Sequence, residues 1–378
     1  MNHETYVFSA PGRTEIGGNH TDHQHGCVLA AAVNLETVAR VTPHSDAVIC
    51  VRSQGYAPVE IDLRDLSIRA EEKNTTAALI RGVAAAFRQR GCNLGGFDAA
   101  VSSTVLPGSG LSSSAAFEVL IGTILNDLFF DRRLNPVEIA QIGQYAENVY
   151  FGKPCGLMDQ TASSVGGMVF IDFHDPAQPV VEKLDFDFAS AGHALCIIDS
   201  GADHADLTGE YAAIPGELQA VSRYFGQEVL REVPEQTFLQ ALPALRGRVS
   251  DRAILRAIHF YLESARVLRQ AEALRRGDFN AFLELVKESG QSSYMYLQNV
   301  TPAGNVDHQE VAVALALCDV LLRGRGAFRV HGGGFAGTVQ AFVPEDMLES
   351  FRTGIESVLG QGSCHVLSIR QDGGIRVK

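Results

Sequence analysis

Residues 106–120 read LPGSGLSSSAAFEVL, and the order of residue types in that stretch decides how the chain around it is parsed. It completes the alternating run GFDAAVSSTVLP (96–107), which reads as a strand, and opens the apolar run SSSAAFEVLIGTILNDLFF (112–130), which reads as a helix. A strand, a Pro-Gly break, a second glycine and three serines at a helix start form an anion site. Glycine lets the backbone approach the anion, and the N–H groups of the first helical turn point at it together with the helix dipole. Ser113 and Ser114 add hydroxyls that can reach a phosphate or a Mg2+ ion. Capping the helix needs only one serine. Gly108, Ser109, Gly110, Leu111, Ser112, Ser113 and Ser114 are therefore the candidate phosphate ligands.

The other glycine-rich stretches read differently. GGGFAG (332–337) satisfies G-x-G-x-x-G, but FRVH precedes it and the β-branched, Pro-terminated TVQAFVP follows. That is a hairpin and not the strand–helix unit of a dinucleotide site. No G-x-x-x-x-G-K-[ST] occurs, since Gly152-Lys153 runs into Pro154, and H-R-D, D-F-G and G-x-S-x-G are absent as well.

Outward from the serine loop, the first third is strand-rich: TYVFSAP (5–11), VLAAAVNLETVARVTP (28–43) and AVICVRS (47–53). PGRTEIGGNHTDHQHG (11–26) reads as a polar loop between the first two of these. A helix is expected from about Thr75 to Arg90, stopped by Gly91. Another should start at Asn135-Pro136, with Glu138 in its first turn, and run to about Tyr150. After the strands GGMVFIDF and HALCIIDS the composition turns helical from about Glu210. Ile258, Leu262 and Ala265 mark the apolar spacing of one helix, and Gly277 breaks it. Strands return around HGGGFAG, and EDMLESFRTGIESVLG (345–360) closes as a short helix. The expected architecture is α+β in two domains, 1–190 and 191–378, with the boundary in DFDFASAGH.

Composition narrows the class. Of 378 residues 46% are hydrophobic and 20% charged, so there is material for a sizeable core and no sign of disorder. The net charge of −13 and the lack of a basic run argue against nucleic acid as a partner. Seven scattered cysteines (27, 50, 92, 155, 196, 318, 364) contain no C-x-x-C, which fits a reducing compartment. Without a secretory-type N-terminus or an apolar run of spanning length, the expectation is a cytoplasmic protein away from membranes. VAVALALCDVLL (311–322) is expected to be a buried helix.

PGRTEIGGNHTDHQHG concentrates Arg13, Glu15, Asn19, His20, Asp22, His23 and His25. None of its histidines has the i, i+4 helical spacing of a zincin, and a polar pocket for a polyol suits the mixture of donors and acceptors better than a metal.

Taken in order and spacing, PGRTEIGGNHTDHQHG, GSGLSSSAA and GGGFAG resemble the three motifs of the GHMP small-molecule kinases, and the first resembles the galactokinase signature. CGLMDQTASSVGG (155–167) resembles the family's catalytic-Asp segment, and LRRGDFNAF (274–282) its C-terminal helical region. The resemblance implies a ribosomal-protein-S5-like N-terminal domain and a ferredoxin-like C-terminal domain, with the site between them. It implies ATP- and Mg2+-dependent phosphorylation of the anomeric hydroxyl of galactose. Asp159 and Arg13 match the catalytic pair, with Asp159 the base and Arg13 keeping it ionised. Ser114 and Glu147 match Mg2+ ligands. For Glu147 the sequence adds that Ala140 and Gly143 share its helical stripe, so the carboxylate can point inward over small neighbours. Arg13, Asn19, His20, Asp22, Gly156, Asp159 and Tyr211 match sugar-contacting positions, and the serine loop from Gly108 to Ser114 the ATP phosphates. A monomer or weak homo-oligomer is expected.

The chain departs from the family where Asn19 replaces Glu, Glu15 replaces Asn and His23 replaces Tyr. Trp is absent, and Thr76 falls where many members place one near the adenine. These changes touch the sugar and base pockets and spare the phosphoryl-transfer parts. They keep open a related substrate (galacturonate, arabinose or N-acetylgalactosamine), with Asn19 expected to read the sugar's C6 and to tolerate a carboxylate there. A silent sugar sensor is the other alternative, opposed by the intact GSGLSSSAA and Asp159.

Overall fold

A computed structural model describes residues 4–105, 110–202, 207–335 and 337–378. The chain folds as two sheets with helices packed on them. In the first, β1 (Tyr6–Gly17) and β2 (Cys27–His44) form a long antiparallel pair, β3 (Val48–Ser53) and β4 (Val59–Asp62) form a hairpin, and β5 (Gly96–Ser103) lies between β2 and β3. β2 is long enough to serve two neighbours on one edge: Cys27–Ala31 pairs with β6 (Met168–Asp172), and Thr37–His44 pairs with β5. β7 (Val180–Leu184) extends the β6 side.

Four helices accompany this sheet: α1 (Thr76–Gln89), α2 (Ser113–Phe129), α3 (Pro136–Tyr145) and α4 (Met158–Val165). Their ends follow the local sequence. Gly91 takes φ +84° after α1, and Asn135 and Glu138 close a reciprocal capping box at the start of α3. Phe8, Phe87, Phe97, Leu120 and Ile124 are wholly buried between sheet and helices. Beyond Tyr145 the expected helix does not continue with α geometry; Ala146–Phe151 form a wider π-helical turn.

The second sheet is antiparallel. β8 (His193–Asp199) lies in its interior, flanked by β10 (Thr338–Pro344) and β11 (Cys364–Leu367), with β9 (Ala327–His331) outside β10. Thr338 pairs with His331, so GGGFAG is the expected hairpin connection. The helical region contributes α5 (Thr208–Tyr224), α6 (Glu235–Leu245), α7 (Asp251–Arg275), α8 (Phe279–Ser292), α9 (Glu310–Leu322) and α10 (Leu348–Leu359). Phe279 and Phe282 of α8 stack on each other and pack with Phe188 and, edge-on, with Phe342 of β10. The last strand, β12 (Ile375–Arg376), returns to pair with β1.

Three expectations change. β1 runs through Gly17, so Arg13 and Glu15 belong to a strand and not to a loop. Two register shifts, at Pro11/Arg13 and Glu15/Gly17, re-aim its side chains. On α7, Leu262 and Ala265 are exposed and Ile258 half-buried, while the buried side combines Ala253, Ala257, Phe260, Val267 and Ala271 with Arg256, His259, Glu263, Arg266 and Gln270. α9 is only partly buried, leaving Val313 49% and Val320 69% exposed. Among the described residues no helix is long and apolar enough to cross a membrane.

Candidate active site

The N-terminus of α2 shows why three serines stand there. Gly110 and Ser112 both take positive φ, +70° and +56°, which turns the chain sharply into the helix. Ser112 does not cap α2; its hydroxyl donates to Asp159 Oδ2 instead. The first-turn N–H groups are thus left without a side-chain cap, the arrangement that favours an anion. Gly110, Leu111, Ser113 and Ser114 complete the described part of this loop, while Gly108 and Ser109 lie outside the described residues.

Asp159 sits in the first turn of α4 facing β1. Arg13 Nε donates to its Oδ1 at 2.7 Å and Nη2 to its Oδ2 at 2.8 Å, a two-pronged pair, while Nη1 donates to the Gly110 carbonyl. Burial drives the Asp159 carboxyl up, but Arg13, the Ser112 hydroxyl and the charge of Lys153 together hold it below its ordinary value. It is a carboxylate at neutral pH, with its side chain still one third exposed.

A cavity of about 720 Å³ opens beside this pair, within the size range of small-molecule sites. Its far wall is polar: His20, Asp22, His23, Gly156, Tyr211 and Gly333. His20 Nε2 lies 3.1 Å from the Gly333 carbonyl, which can only accept, so that nitrogen carries the proton. Burial, with His23 beside it, pushes its pKa down to about 3, so the ring is neutral. Tyr211 donates its hydroxyl to the Gly334 carbonyl at 2.9 Å and covers Gly333, where a Cβ would stand 2.7 Å from its ring. At Gly156 a Cβ would lie 1.8 Å from Asp22 Oδ2. Gly156→Ala should therefore displace the Asp22 carboxylate and, on the sugar-binding reading proposed below, weaken sugar binding by about 10–100-fold, the size of one charge-assisted hydrogen bond. A sugar titration checks this, and unchanged affinity would take Asp22 out of the binding wall.

Asn19 is not in that wall. It is wholly buried, and all of its polar groups are engaged: Nδ2 donates to Glu15 Oε1 at 3.0 Å and to the Gly332 carbonyl at 2.7 Å, while Oδ1 accepts from Asn299 at 2.8 Å and Ser293 at 3.3 Å. Glu15 reaches the cavity in its place. Behind Glu15 lies a buried ion network. Arg329 bonds Glu15 and reaches Ser289 at 3.1 Å, and Glu263 accepts from Ser289 at 2.6 Å, from the Gly18 N–H at 3.1 Å and from Arg266.

A second acidic group lies deeper. Glu147, in the π-helical turn, is 3% exposed, as its stripe with Ala140 and Gly143 suggested. Its Oε1 is 3.4 Å from the Ser114 hydroxyl and 3.3 Å from Lys153 Nζ, and its Oε2 accepts from Gln160 at 2.9 Å. The same Gln160 nitrogen reaches Glu118 Oε2 at 3.0 Å. Burial, then the charge of Glu147, drive the Glu118 carboxyl well above the carboxylate range. Sequence reading passed over Glu118, Gln160 and Lys153. The available signal was a lone acid inside the apolar run AAFEVLIGTIL opposite a small residue: a Cβ on Gly143 would lie 3.1 Å from Glu118 Oε2. The donors at Ser114 and Glu147 are hard oxygens of the kind Mg2+ prefers, and two protein ligands leave room for phosphate oxygens and water.

Residues 78–167 match the sequence model of the GHMP kinases N terminal domain, and residues 1–43 match that of the galactokinase galactose-binding signature. Lactococcus lactis galactokinase, solved in complex with galactose, superposes with a TM-score of 0.84 at 24% identity, over 99% of this chain and 95% of that one. The Methanococcus jannaschii mevalonate kinase (TM-score 0.66, 13% identity, 98% of each chain) is similar too. So is the Staphylococcus aureus mevalonate diphosphate decarboxylase (0.65, 12%, 99% of this chain and 98% of that one). A decarboxylase among these neighbours shows that the fold alone does not name a reaction. The two sequence matches are narrower, and over residues 1–43 and 78–167 they make the chain similar to the GHMP kinases. The first 43 residues carry the match to the galactokinase galactose-binding signature, and the chain has the α+β fold of these structural neighbours.

Proposed function

We propose that the protein transfers the terminal phosphoryl group of ATP to the anomeric hydroxyl of galactose, with Mg2+. The observation that carries this reading is Asp159, ionised by Arg13 and Ser112, at the junction of a cavity carrying His20, Asp22 and Tyr211 and the uncapped N-terminus of α2. A sugar placed against His20, Asp22, Gly156 and Tyr211 would present a hydroxyl to Asp159, which takes the proton as that oxygen attacks phosphorus. Arg13 keeps the base charged and adds positive charge beside the developing phosphoryl charge. The loop from Gly108 to Ser114 would hold the nucleotide phosphates. Ser114 and Glu147 would hold Mg2+, which neutralises phosphate charge when bound. With the parts taken as 1–190 and 191–378, both line the cavity, the first with Arg13, His20, Asp22 and Asp159 and the second with Tyr211 and Gly333.

The wall favours galactose over a uronate. Asn19, the residue expected to relax discrimination at C6, has no polar group free to meet a sugar. Release of ADP measured across galactose, galacturonate, arabinose and N-acetylgalactosamine tests the assignment; a higher kcat/KM for another of these sugars would overturn it. Glu147→Gln should raise the Mg2+ concentration needed for half-maximal rate by about tenfold or more, with sugar affinity unchanged, because a hard dication prefers a carboxylate. An unaltered Mg2+ dependence would place the ion elsewhere.

A further inference from the structure

The mechanism above leaves one cavity cation unused. Gly152-Lys153-Pro154 carries a Gly-Lys pair without the hydroxyl residue of a P-loop, yet its lysine lines the cavity beside Asp159. Lys153 Nζ lies 3.3 Å from Glu147 Oε1, and its side chain is 62% exposed. Its backbone is firmly held. The Glu147 carbonyl accepts from both the Gly152 N–H at 2.9 Å and the Lys153 N–H at 3.1 Å, and Gly152 takes φ +85° to close the π-helical turn. The root of the side chain is fixed while its four-carbon stem can swing. The ammonium therefore lies against the Glu147 carboxylate at the edge of the cavity that Asp159 also lines.

On the kinase reading, Asp159 would receive the sugar proton and Glu147 would hold the metal, so the phosphoryl group would be transferred near the ammonium. Arg13 has already committed three of its five N–H groups, two to Asp159 and one to the Gly110 carbonyl. Lys153 has three donors, with one hydrogen bond, to Glu147, found for it. We propose that Lys153 is a further catalytic residue, its ammonium contacting the oxygens of the transferring terminal phosphoryl group of a nucleoside triphosphate. The inference rests on the kinase reading above. In the step, a bond forms between the sugar oxygen and the terminal phosphorus, and the bond from that phosphorus to the β,γ-bridging oxygen breaks. The nucleoside diphosphate leaves with that electron pair, and the sugar proton goes to Asp159. Lys153 keeps its protons and stabilises charge on the equatorial oxygens, the kind of electrostatic contribution on which phosphoryl transfer depends.

The test compares Lys153→Met and Lys153→Arg with the wild type by calorimetry, using Mg2+ with either the β,γ-imido analogue of ATP or ADP, and without sugar. Lys153→Met should weaken the triphosphate analogue by about 10–100-fold, one charge-assisted hydrogen bond, and ADP by no more than about twofold. Lys153→Arg should restore most of the difference. The kcat of Lys153→Met should fall by about 10²–10³, with the sugar KM within about twofold. Equal weakening of both nucleotides would make the lysine merely structural, and unchanged triphosphate affinity with unchanged kcat would remove it from the reaction; either overturns the proposal. A wild type that binds neither nucleotide would overturn the kinase reading itself, which separates the two failures.

Discussion

Asp159→Ala is expected to lower kcat by about 10²–10⁴, the usual contribution of a positioned base, while sugar affinity falls much less. The expectation follows from geometry. Arg13 spans both oxygens of Asp159 at 2.7 and 2.8 Å, Ser112 donates to one of them, and the carboxyl sits below its ordinary value. Because the folded carboxyl is easier to ionise, the base stays competent through the neutral range, and the acid limb of activity should lie below the usual carboxylate range. Asp159→Asn keeps the shape and removes the charge, so its kcat should fall with that of Asp159→Ala. Near wild-type turnover in either variant would remove Asp159 from the mechanism.

Arg329→Met should be the most damaging change to stability away from the reacting groups, costing roughly 3–5 kcal/mol. Arg329 is wholly buried, as is Glu263, and Glu15 is 2% exposed. Removing the guanidinium leaves buried carboxylates without their shared partner. The pH dependence has a definite sign. Glu263 is pushed up by burial, but His259, Arg266, Arg329 and Ser289 pull its pKa down to about 2, from an ordinary 4.5. Its contribution to stability is therefore full above about pH 4.5 and is lost as pH falls toward 2. The penalty of Arg329→Met should shrink over the same interval, as protonation removes the uncompensated charge. Denaturant midpoints of both proteins between pH 7 and 2 measure this, and equal midpoints at pH 7 would show that the network does not depend on Arg329.

The sequence was most legible where chemistry repeats locally. The serine loop, the Asn135/Glu138 capping box, the Gly91 stop and the GGGFAG hairpin each follow from a few adjacent residues whose backbone needs admit one solution. It was least legible where a polar residue is buried by something distant. On α7 the apolar spacing at Ile258, Leu262 and Ala265 pointed to the wrong face: the inner face carries the apolar stripe Ala253, Ala257, Phe260, Val267, Ala271 and Leu274. Beside that stripe, His259, Glu263 and Arg266 are buried against partners at Gly18 and Asn19, on β9 and on α8, which no local periodicity shows. Asn19 misled for the same reason. Its neighbours Asn299, Ser293 and Gly332 lie far along the chain, and only the folded contact shows that Asn19 sits behind Glu15, which lines the cavity. Glu147 could be placed inward from Ala140 and Gly143 because that argument stays within one helix, whereas Glu118 and Gln160 required knowing that α2 and α4 converge on it.

The central claim is that phosphate is placed on the anomeric oxygen of galactose by Asp159. It is tested most directly by incubating the protein with galactose, ATP and Mg2+ and recording a proton–phosphorus correlation spectrum of the products. The account predicts a new phosphorus resonance coupled to the anomeric proton, formed with one ADP per sugar consumed and absent with Asp159→Ala. A phosphorus resonance coupled to the C6 protons, or inorganic phosphate as the sole new product, would contradict it.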